Sequence, residues 1–474
     1  MSGASKLRRV YCKIAPCFGC QPDLPLAGQA INQQINPSDF SEFKEYQLSS
    51  ELQARRQELL NQYQQIQSRN LGLDLTRGKP ATNQLNLSDA LDGILAGDYK
   101  CADGTDTRNY GGILGIPEAR QFAADYLETT PARIMVGGNS SLQLMYQYVQ
   151  GAYQHGVRGK DSAWIREEKD GQCIKFLCPS PGYDRHFAIC EYLGIEMIAV
   201  SMNEDGPDMD QVEELLRKDP LIKGIWCVPK YANPNGVVYS DAVVERFAQL
   251  GKIAGANFRI LWDNAYAEHH LVDNPPSLAN ILALSEKYGT LDNVIVIGST
   301  SKITHAGAGI AFIGTSEDNI KHFADHLGFQ TIGPDKTNQL RHMRFIKDMD
   351  GLRALMQEHR AILQPKFELA LKHLEKGLAG KTVNGEALGS WTRPAGGYFI
   401  LFDTLPGLAD KVVKLCAGAG VKLTPAGSTW PYKKDPANTN IRLAPSFPSL
   451  AEIDEAMQVF VLCVELATIE QQLA

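Results

Sequence analysis

With 474 residues, the chain is longer than a single hydrophobic core supports, so we expect two or three lobes. Hydrophobic residues make up 44% and charged residues 21% of the sequence, which is typical of globular proteins, and no apolar run is long enough to predict a membrane span. The net charge of −7 is not concentrated in a long block of one sign, so the sequence does not favour nucleic acid as a partner.

The ten cysteines do not predict a disulfide framework in a chain of this length. Most lie singly among apolar neighbours, which favours buried thiols in a reducing compartment, and we expect a cytoplasmic protein. Cys12, Cys17 and Cys20 cluster, but CKIAPCFGC lacks a second ligand pair at zinc-site spacing, so no metal site is predicted. Residues 1–40 lack the continuous apolar core of a secretory signal and are expected to be a poorly ordered extension.

In chain order, the first predicted element is a helix from about Ser49 to Asn70, which the breakers in LTRGKP end. Between residues 115 and 315, helical segments alternate with the apolar strands ARIMV, IKFLC, IKGIWCVP, FRILW and NVIVIG. This alternation predicts an α/β domain with a mainly parallel sheet covered by helices, because parallel neighbours need a crossover long enough to recross the sheet. After Asp348, a long helix, the segment WTRPAGGYFILFD and a final helix predict a smaller α+β lobe.

Polar residues follow the five strands, at the edge where open parallel sheets bind ligands. After ARIM, the turn MVGGNSS opens a helix. Its main-chain N–H groups, with Asn139 and Ser140, suit a phosphate, although such a turn is also an ordinary helix cap. After IKFL, CPSPGYDRHF supplies Tyr183 and His186. Tyr183 either stacks on a flat ring or is a buried tyrosine beside a Pro-Gly turn.

Two further strand ends supply an amide and a carboxylate. Asn233, in VPKYANPNG, is restricted by the proline that follows it and suits a phenolate oxygen, though Asn-Pro-Asn-Gly is itself a common turn. Asp263 ends the strand RILWD, with Tyr266 three residues later, and a buried carboxylate there needs a cation or an N–H donor. A protonated pyridine nitrogen meets that need, and a helix cap is the alternative role.

The fifth strand runs into GSTSKITHAGAGIAF, where Lys302 directly follows Ser299, Thr300 and Ser301. A lysine at the end of a buried strand either reaches solvent or is used chemically, and a desolvated lysine is a nucleophile toward carbonyls. The three hydroxyls beside it suit a phosphate. One pyridoxal phosphate has the aldehyde, phosphate, ring face, phenolate and ring nitrogen that the five sites require, so we expect it as the cofactor.

The order NPNG, DNAY and STSK resembles the fold-type-I pyridoxal-phosphate aminotransferases, with matching segments from about Leu71 to Pro448. The resemblance implies a three-layer large domain over 91–345, a small domain over 346–474, and an N-terminal arm over 41–90 that forms part of the small domain. It also implies a Schiff base on Lys302, the ring nitrogen on Asp263, the 3′ oxygen on Asn233 and Tyr266, ring stacking on Tyr183, and the phosphate on Ser299 beside Asn139, Ser140 and Ser301.

Other segments extend the resemblance. PSPGYDRHF places His186 behind the carboxylate that meets the ring nitrogen, and LTRGKP places Gly78 on the substrate side. RNYGGILGIPEAR implies a homodimer in which Tyr110 reaches the phosphate across the interface. NIRLAPSFP implies that Arg442, beside Asn233, clamps the substrate α-carboxylate, a role that its planar fork suits.

The sequence departs from the family pattern after the lysine. Common relatives carry a phosphate-binding arginine there, where GAGIAF has Ala308 and Gly309. His305 is a candidate replacement, and a solvated loop histidine is the alternative. The departure, together with DKTNQLRHMRF, resembles a bacterial subgroup that includes aspartate aminotransferases.

The resemblance implies a transaminase with Lys302, Asp263 and Tyr266 as catalytic residues. An amino acid displaces Lys302 from the cofactor, the freed amine moves the α proton, and a 2-oxo acid leaves before a second one reverses the steps. On the subgroup resemblance we favour aspartate as donor and 2-oxoglutarate as acceptor. An acidic substrate needs a second cation, and each candidate is otherwise a surface charge; the candidates are Arg77, Lys79, Lys336, Arg341 and Arg344.

Three alternatives remain open. β-Lyases, decarboxylases and racemases use the same cofactor shell, and product analysis separates them from transaminases. Some transcription regulators carry an aminotransferase-like ligand sensor, but the N-terminal segment here is short and has no basic recognition helix. A catalytically inactive relative is disfavoured because Lys302 and Asp263 are both present.

Overall fold

The computed structural model describes residues 37–169, 171–255 and 257–474, with side chains from Ser49 onward. The expected extension over residues 1–40 lies outside this part of the chain except for residues 37–40, and the cluster CKIAPCFGC lies outside it too. Residues 1–52 and 53–474 are separate units, and the second contains both main sheets and the site described below.

The helices are α1 (Pro37–Gln67), α2 (Thr82–Leu85), α3 (Pro117–Tyr126), α4 (Ser141–His155), α5 (Asp184–Leu193), α6 (Met209–Lys218), α7 (Asp241–Gln249), α8 (Gly251–Ala254), α9 (Ile281–Tyr288), α10 (Glu317–Leu327), α11 (Lys336–Ile346), α12 (Met349–Leu378), α13 (Ala409–Gly418) and α14 (Leu450–Gln472). The N-terminal helix begins earlier than the sequence predicted. The predicted long helix is α12, and it begins where Asp348 accepts a hydrogen bond from Gly351 N at 2.9 Å. The final helix, α14, begins with a capping box between Ser449 and Glu452.

The strands are β1 (Leu73–Asp74), β2 (Ile134–Val136), β3 (Lys175–Ser180), β4 (Glu196–Asn203), β5 (Gly206–Pro207), β6 (Ile222–Cys227), β7 (Arg259–Asp263), β8 (Val294–Ser299), β9 (Ala311–Gly314), β10 (Thr382–Val383), β11 (Glu386–Ala387), β12 (Ser390–Trp391), β13 (Ile400–Asp403), β14 (Val421–Lys422) and β15 (Asn440–Leu443). Short 3₁₀ helices lie at Asn86–Leu91, Pro131–Arg133, Lys160–Ser162, Trp164–Glu167, Leu291–Asn293 and Pro431–Lys433. All five strands predicted from the sequence are present, and the predicted breaks fall close to their ends.

The large sheet has the strand order β2-β9-β8-β7-β6-β3-β4-β5. Its central strands β8, β7, β6, β3 and β4 are parallel, whereas β9, β2 and β5 pair antiparallel at the edges. The connection from β8 to β9 is short, and Ser299 pairs with Ala311 in the antiparallel register. The predicted mainly parallel α/β sheet is confirmed, with the antiparallel edges as a detail that the sequence analysis did not include.

Hydrophobic cores lie on both faces of the large sheet. Val294 and Val296 of β8 face one core, which includes side chains of α3, α7 and α9, and Ile295 and Ile297 face the other, which includes side chains of α4, α5 and α10. Successive residues of a strand point to opposite faces, so both faces of β8 must be apolar. The sheet is therefore the middle of three layers, as expected.

A second, antiparallel sheet has the order β12-β13-β15 and packs on α14, where Phe402 meets Phe460 with ring centroids 5.0 Å apart. Helices α12 and α14 pack against each other beside it. Leu73 of β1 pairs with Val421 of β14, so the segment that follows α1 joins the C-terminal part of the chain. The domain boundaries at residues 90 and 345 stay predictions, because residues 53–474 form one unit by contact.

Within the described part of the chain, no helix has the length and apolar content that crossing a membrane requires.

Candidate active site

Neighbouring strands bring the predicted site residues to one edge of the large sheet. β8 ends at Ser299, β7 ends at Asp263, β6 leads to Asn233 and β3 leads to Tyr183. Because these four strands are parallel and adjacent, their carboxyl ends form one continuous edge. Open α/β sheets bind their ligands at that edge.

Asp263 is buried, with 4% of its surface exposed. Its Oδ2 lies 3.1 Å from His186 Nε2, and the His186 ring stacks on Trp226 with centroids 4.3 Å apart. Its Oδ1 is also buried and has no hydrogen-bond partner among the described residues. An unpartnered buried carboxylate oxygen is costly, so Oδ1 marks a place for a bound N–H donor such as a protonated pyridine nitrogen.

Lys302 lies in the connection between β8 and β9. Thr300 closes this connection, because its N–H donates to Ile310 O at 2.8 Å and its Oγ1 accepts from Ile310 N at 2.9 Å. Lys302 Nζ lies 4.8 Å from the centroid of the Tyr266 ring. The connection therefore holds the lysine main chain at the sheet edge and leaves its amine beside an aromatic face.

Of the two tyrosines near Lys302, Tyr266 is buried and Tyr183 is half-buried. Burial, together with the Asp263 carboxylate, raises the pKa of Tyr266 far above its usual range. Burial raises the pKa of Tyr183 to about 12, and the Lys302 ammonium opposes that shift. Both phenols therefore keep their protons at neutral pH and can donate a hydrogen bond. The Tyr183 ring also meets the His186 ring edge-on, with centroids 4.9 Å apart.

The predicted phosphate residues lie where the N-terminus of α4 meets the lysine loop. Ser140 Oγ caps α4 by accepting from Gln143 N at 3.2 Å. Asn139 bridges to the loop, because its Nδ2 donates to Gly307 O at 2.9 Å and its carbonyl accepts from Ser301 Oγ at 2.9 Å. Hydroxyls and the N-terminal N–H groups of a helix suit a phosphate, and the structure brings them together here.

The position of the missing arginine has no room for a long side chain. A Cβ on Gly309 would lie 2.9 Å from Thr300 Oγ1 and 3.1 Å from Ser301 N. The Nε2 of His305 lies 3.6 Å from Asp89 Oδ1. A role of His305 in place of the arginine stays a prediction.

Arg442, on β15, is buried with 8% of its surface exposed. Its Nη1 lies 3.2 Å from Asp184 Oδ1 and 3.3 Å from Asn233 Oδ1, and its Nη2 contacts Thr424 Oγ1 at 3.3 Å and Thr76 O at 3.5 Å. Its Nε is buried and has no partner in the described chain. The guanidinium has long contacts and one N–H without an acceptor, so it can bind a ligand carboxylate by donating to it.

Gly78 makes room for the residue that lies beneath Arg442. A Cβ on Gly78 would lie 2.3 Å from Phe399 Cζ, so a larger residue would push the Phe399 ring away. The Arg442 guanidinium lies 4.7 Å from the centroid of that ring, in cation–π contact. The glycine, the phenylalanine and the arginine therefore form one stack.

Tyr110 does not join the site within one chain. It is 85% exposed, on a loop that Lys336 holds by donating to Asn109 O at 2.8 Å and Gly111 O at 2.6 Å. The loop is therefore ordered by a buried lysine while its tyrosine projects into solvent.

Four residues that surround the predicted site residues were not predicted from the sequence: Trp226, Asp184, Phe399 and Thr424. Asp184 follows Tyr183 directly, so the reasoning that identified Asp263 as a carboxylate at a strand end applied to it as well. Trp226 was counted only as a core strand residue. Its contact with His186 depends on which face of β6 it occupies, and a fully apolar strand gives no sign of that.

These features define a class of protein. The three-layer α/β fold brings four features to one sheet edge: a lysine, a buried carboxylate with one unpartnered oxygen, aromatic side chains and a hydroxyl-bearing helix N-terminus. This is the arrangement of a fold-type-I pyridoxal-phosphate enzyme. The buried Asp263 Oδ1, which has no hydrogen-bond partner among the described residues, fits the protonated ring nitrogen of that cofactor.

Comparison with known proteins supports this class of enzyme. The chain matches the aspartate aminotransferase family over residues 48–474. It is 45% identical over 415 residues to an aspartate aminotransferase of Corynebacterium glutamicum, covering 87% of this chain and 94% of that protein. The crystal structure of an aspartate transaminase from Corynebacterium glutamicum has a TM-score of 0.84 and 43% identity, over 89% of this chain and 97% of that one. An α-aminoadipate aminotransferase of Thermus thermophilus, 19% identical with a TM-score of 0.66 over 84% of this chain and 93% of that one, shares the fold.

The chain belongs to the aspartate aminotransferase family. It is an aminotransferase, and its cofactor is pyridoxal phosphate.

Proposed function

We propose that the protein transfers the amino group of aspartate to 2-oxoglutarate and that Lys302 carries the cofactor. The main support is that Tyr266 lies among the three charges the reaction needs. Its ring centroid is 4.8 Å from Lys302 Nζ. Burial and the nearby Asp263 carboxylate raise the pKa of Tyr266, and the Arg442 guanidinium opposes that shift. Asp263 and Arg442 each leave one buried atom without a partner in the described residues. The name of the 45% identical Corynebacterium glutamicum relative supports aspartate as the donor.

Each charged residue has a separate task. When bound, pyridoxal phosphate acts as an electron sink for the charge that develops at the substrate α carbon. Asp263 Oδ1 holds a proton at the ring nitrogen, while His186 keeps the other carboxylate oxygen in place. Lys302 Nζ moves the α proton as a general base. In this proposal, Tyr266 and Asn233 donate to the 3′ oxygen.

Arg442 binds the α-carboxylate in this proposal. A planar guanidinium and a carboxylate form two parallel hydrogen bonds, and Nε is open to make one of them. The second comes from Nη2, which lies on the same side as the Nε proton and now contacts protein oxygens at 3.3 and 3.5 Å. Because those contacts are long, an entering carboxylate can replace them at little cost.

The second carboxylate of aspartate needs another cation. Three of the five candidates named from the sequence already have partners in the protein. Arg341 pairs with Asp92 at 2.8 Å and Arg344 pairs with Asp98 at 2.9 Å. Lys336 is buried against main-chain carbonyls.

Arg77 and Lys79 remain, one on each side of Gly78, which packs on the Phe399 ring beneath Arg442. Arg77 has no ion pair among the described residues, and Lys79 Nζ lies 4.0 Å over the Phe447 ring. We assign the second carboxylate to this pair. Arg77→Gln and Lys79→Gln should each raise the KM for aspartate while leaving that for alanine unchanged, and equal effects on both donors would exclude the assignment.

We further propose a homodimer in which Tyr110 reaches the phosphate of the second subunit. Tyr110, Phe329 and Ile332 are 85%, 94% and 64% exposed, and large exposed apolar side chains favour an interface. Tyr110, Ile332 and Lys336 line one groove. Light scattering should give twice the chain mass. Ile332→Asp should give a monomer with weaker cofactor binding; a monomeric parent protein would exclude the proposal.

The free thiols of the described cysteines support the cytoplasmic location that we propose for the protein.

Product analysis tests the reaction itself. The purified protein, saturated with pyridoxal phosphate, is given aspartate and 2-oxoglutarate, and the products are followed by NMR. We expect oxaloacetate and glutamate in equal amounts. When 2-oxoglutarate is omitted, the reaction should stop after one equivalent of oxaloacetate per site. Ammonia, carbon dioxide or D-aspartate as the main product would instead identify a lyase, a decarboxylase or a racemase.

A further inference from the structure

A buried hydrogen-bond network holds the main chain of the lysine from behind. The carbonyl of Lys302 accepts from Tyr398 Oη at 3.4 Å and from His269 Nε2 at 3.3 Å, and the carbonyl of Ile303 lies 2.8 Å from His359 Nε2. Gln84 connects two of these side chains, because its Nε2 lies 3.1 Å from both His359 Nδ1 and Tyr398 Oη. None of these contacts belongs to the cofactor, the phosphate or the substrate site described above.

The direction of every hydrogen bond in this network follows from its members. A carbonyl can only accept, so His359 carries its proton on Nε2 and accepts on Nδ1 from the Gln84 amide. Burial lowers the pKa of His359, which keeps the ring neutral as this arrangement requires. Gln84 Oε1 accepts from Ala81 N at 3.0 Å, so its Nε2 is the donor. Both protons of that amide are then used, one toward His359 and one toward Tyr398.

Three members of the network come from outside the large sheet. Gln84 is on α2, His359 is on α12 and Tyr398 precedes β13. All three side chains have an exposed fraction of 0%, and each of their hydrogen-bonding groups has a partner, which favours one arrangement of the three. Within the network, only His269 Nδ1 lacks a partner among the described residues. The elements around the second sheet therefore fix the lysine peptide, while β8 and β9 fix the two ends of its loop.

We propose that Gln84, His359 and Tyr398 are positioning residues that set the place of Lys302 Nζ through its main chain. The proposal rests on the proposed role of Lys302. Proton transfer requires the amine to lie within hydrogen-bonding distance of the α proton, and a displacement of about 1 Å can cost roughly 100-fold in rate. Without this support, the main chain of the lysine could shift and displace the amine from the α proton.

Tyr398→Phe tests the proposal by removing one hydroxyl and leaving the ring. Tyr63→Phe is the matched control, because Tyr63 is also buried and its hydroxyl also donates to a main-chain carbonyl, that of Leu415 at 2.8 Å, away from the lysine. We expect Tyr398→Phe to lower kcat about 10-fold or more with little change in KM, and to move the pH midpoint of the visible absorbance of the cofactor-loaded protein. The control should change neither quantity.

A double substitution separates positioning from a general structural effect. Lys302→Ala protein can be supplied with methylamine as an external base, and the network then has no lysine amine to position. Adding Tyr398→Phe to this variant should therefore leave the amine-dependent rate unchanged. Gln84→Met removes the shared donor and should act in the same direction as Tyr398→Phe, on the same two readouts.

Two results would overturn the proposal. In the first, Tyr398→Phe and Gln84→Met have the same kcat and absorbance midpoint as Tyr63→Phe. In the second, Tyr398→Phe lowers the amine-dependent rate of Lys302→Ala protein as much as it lowers the rate of the parent. A fully active Lys302→Ala protein without added amine would instead contradict the proposed function, and the positioning role with it.

Discussion

Asp263 and Arg442 are the two opposite buried charges of the site, and the protein holds them in different ways. Asp263 has one partner, His186, at 3.1 Å, and that ring is itself fixed against Trp226. Arg442 has four contacts between 3.2 and 3.5 Å, one of them to Asp184, whose side chain is 36% exposed. Each charge leaves one buried atom open in the described chain.

This difference suits Asp263 to a cofactor that stays bound and Arg442 to a substrate that exchanges in every turnover. A cofactor stays bound through many turnovers, so a rigid carboxylate with a single open oxygen suits it. A substrate carboxylate enters and leaves in every turnover, so an arginine whose protein contacts are long and replaceable suits it better. Substitutions at the cofactor end should therefore lower kcat, and those at the substrate end should change KM.

The largest effect is expected at Lys302, which belongs to the cofactor end. Lys302→Ala removes the general base, and we expect transamination to fall by at least about 10³-fold, within the range that such groups contribute. Steady-state kinetics measure the loss, and an unchanged melting temperature of the cofactor-free protein serves as the control. Retention of the parental rate would remove Lys302 from the mechanism.

Asp263→Asn should give the next largest effect. The amide keeps the size of the side chain but cannot hold a positive ring nitrogen, so we expect kcat to fall roughly 10²- to 10³-fold. The KM for aspartate should change little. His186→Gln, which disturbs only the oxygen that does not face the cofactor, is the milder companion and should lose less. A loss confined to KM would contradict the division between the two ends.

Arg442→Ala should act mainly on substrate binding. Loss of a charge-assisted contact in a buried site costs about 2 to 5 kcal/mol, so kcat/KM for aspartate should fall by roughly 30- to 5000-fold, largely through KM. Arg442→Lys keeps the charge without the planar fork and should recover only part of the loss. Equilibrium binding of pyridoxal phosphate is the control and should not change; weaker cofactor binding with unaltered KM would refute the assignment.

Asp184→Asn is expected to have the smallest effect, in the opposite direction. Its carboxylate competes with the substrate for Arg442 and is partly exposed, so removing its charge should improve aspartate binding by about 0.5 to 1 kcal/mol, a two- to fivefold lower KM. Comparison with Arg185→Lys, at the exposed next residue of the same helix, controls for a general change at the start of that helix. A raised KM would mean that Asp184 orients the arginine instead of competing for it.

The sequence alone predicted the parts of the site that depend on local order. A buried apolar strand places the next polar residue at the sheet edge, which located Asp263, Asn233 and Lys302. It also predicted the three-layer sheet, since strands that are apolar on both faces require helices on both sides. These inferences need only the alternation of elements along the chain.

Contacts between distant segments were not predictable in this way. Arg442 meets Asp184 across 258 positions, and Gln84 meets His359 across 275. His305 looked free in the sequence, yet the structure places it beside Asp89. Which buried face a residue such as Trp226 occupies depends on strand register, and apolar strands do not show their register in the sequence.

The most direct test of the account is to identify the residue that carries the cofactor. The loaded protein is reduced with borohydride, digested and mapped by mass spectrometry, with unreduced protein as the control. We expect the phosphopyridoxyl group on Lys302 in the peptide that contains GSTSK, at close to one per chain. The group on another lysine, or no covalent group after reduction, would contradict the central claim.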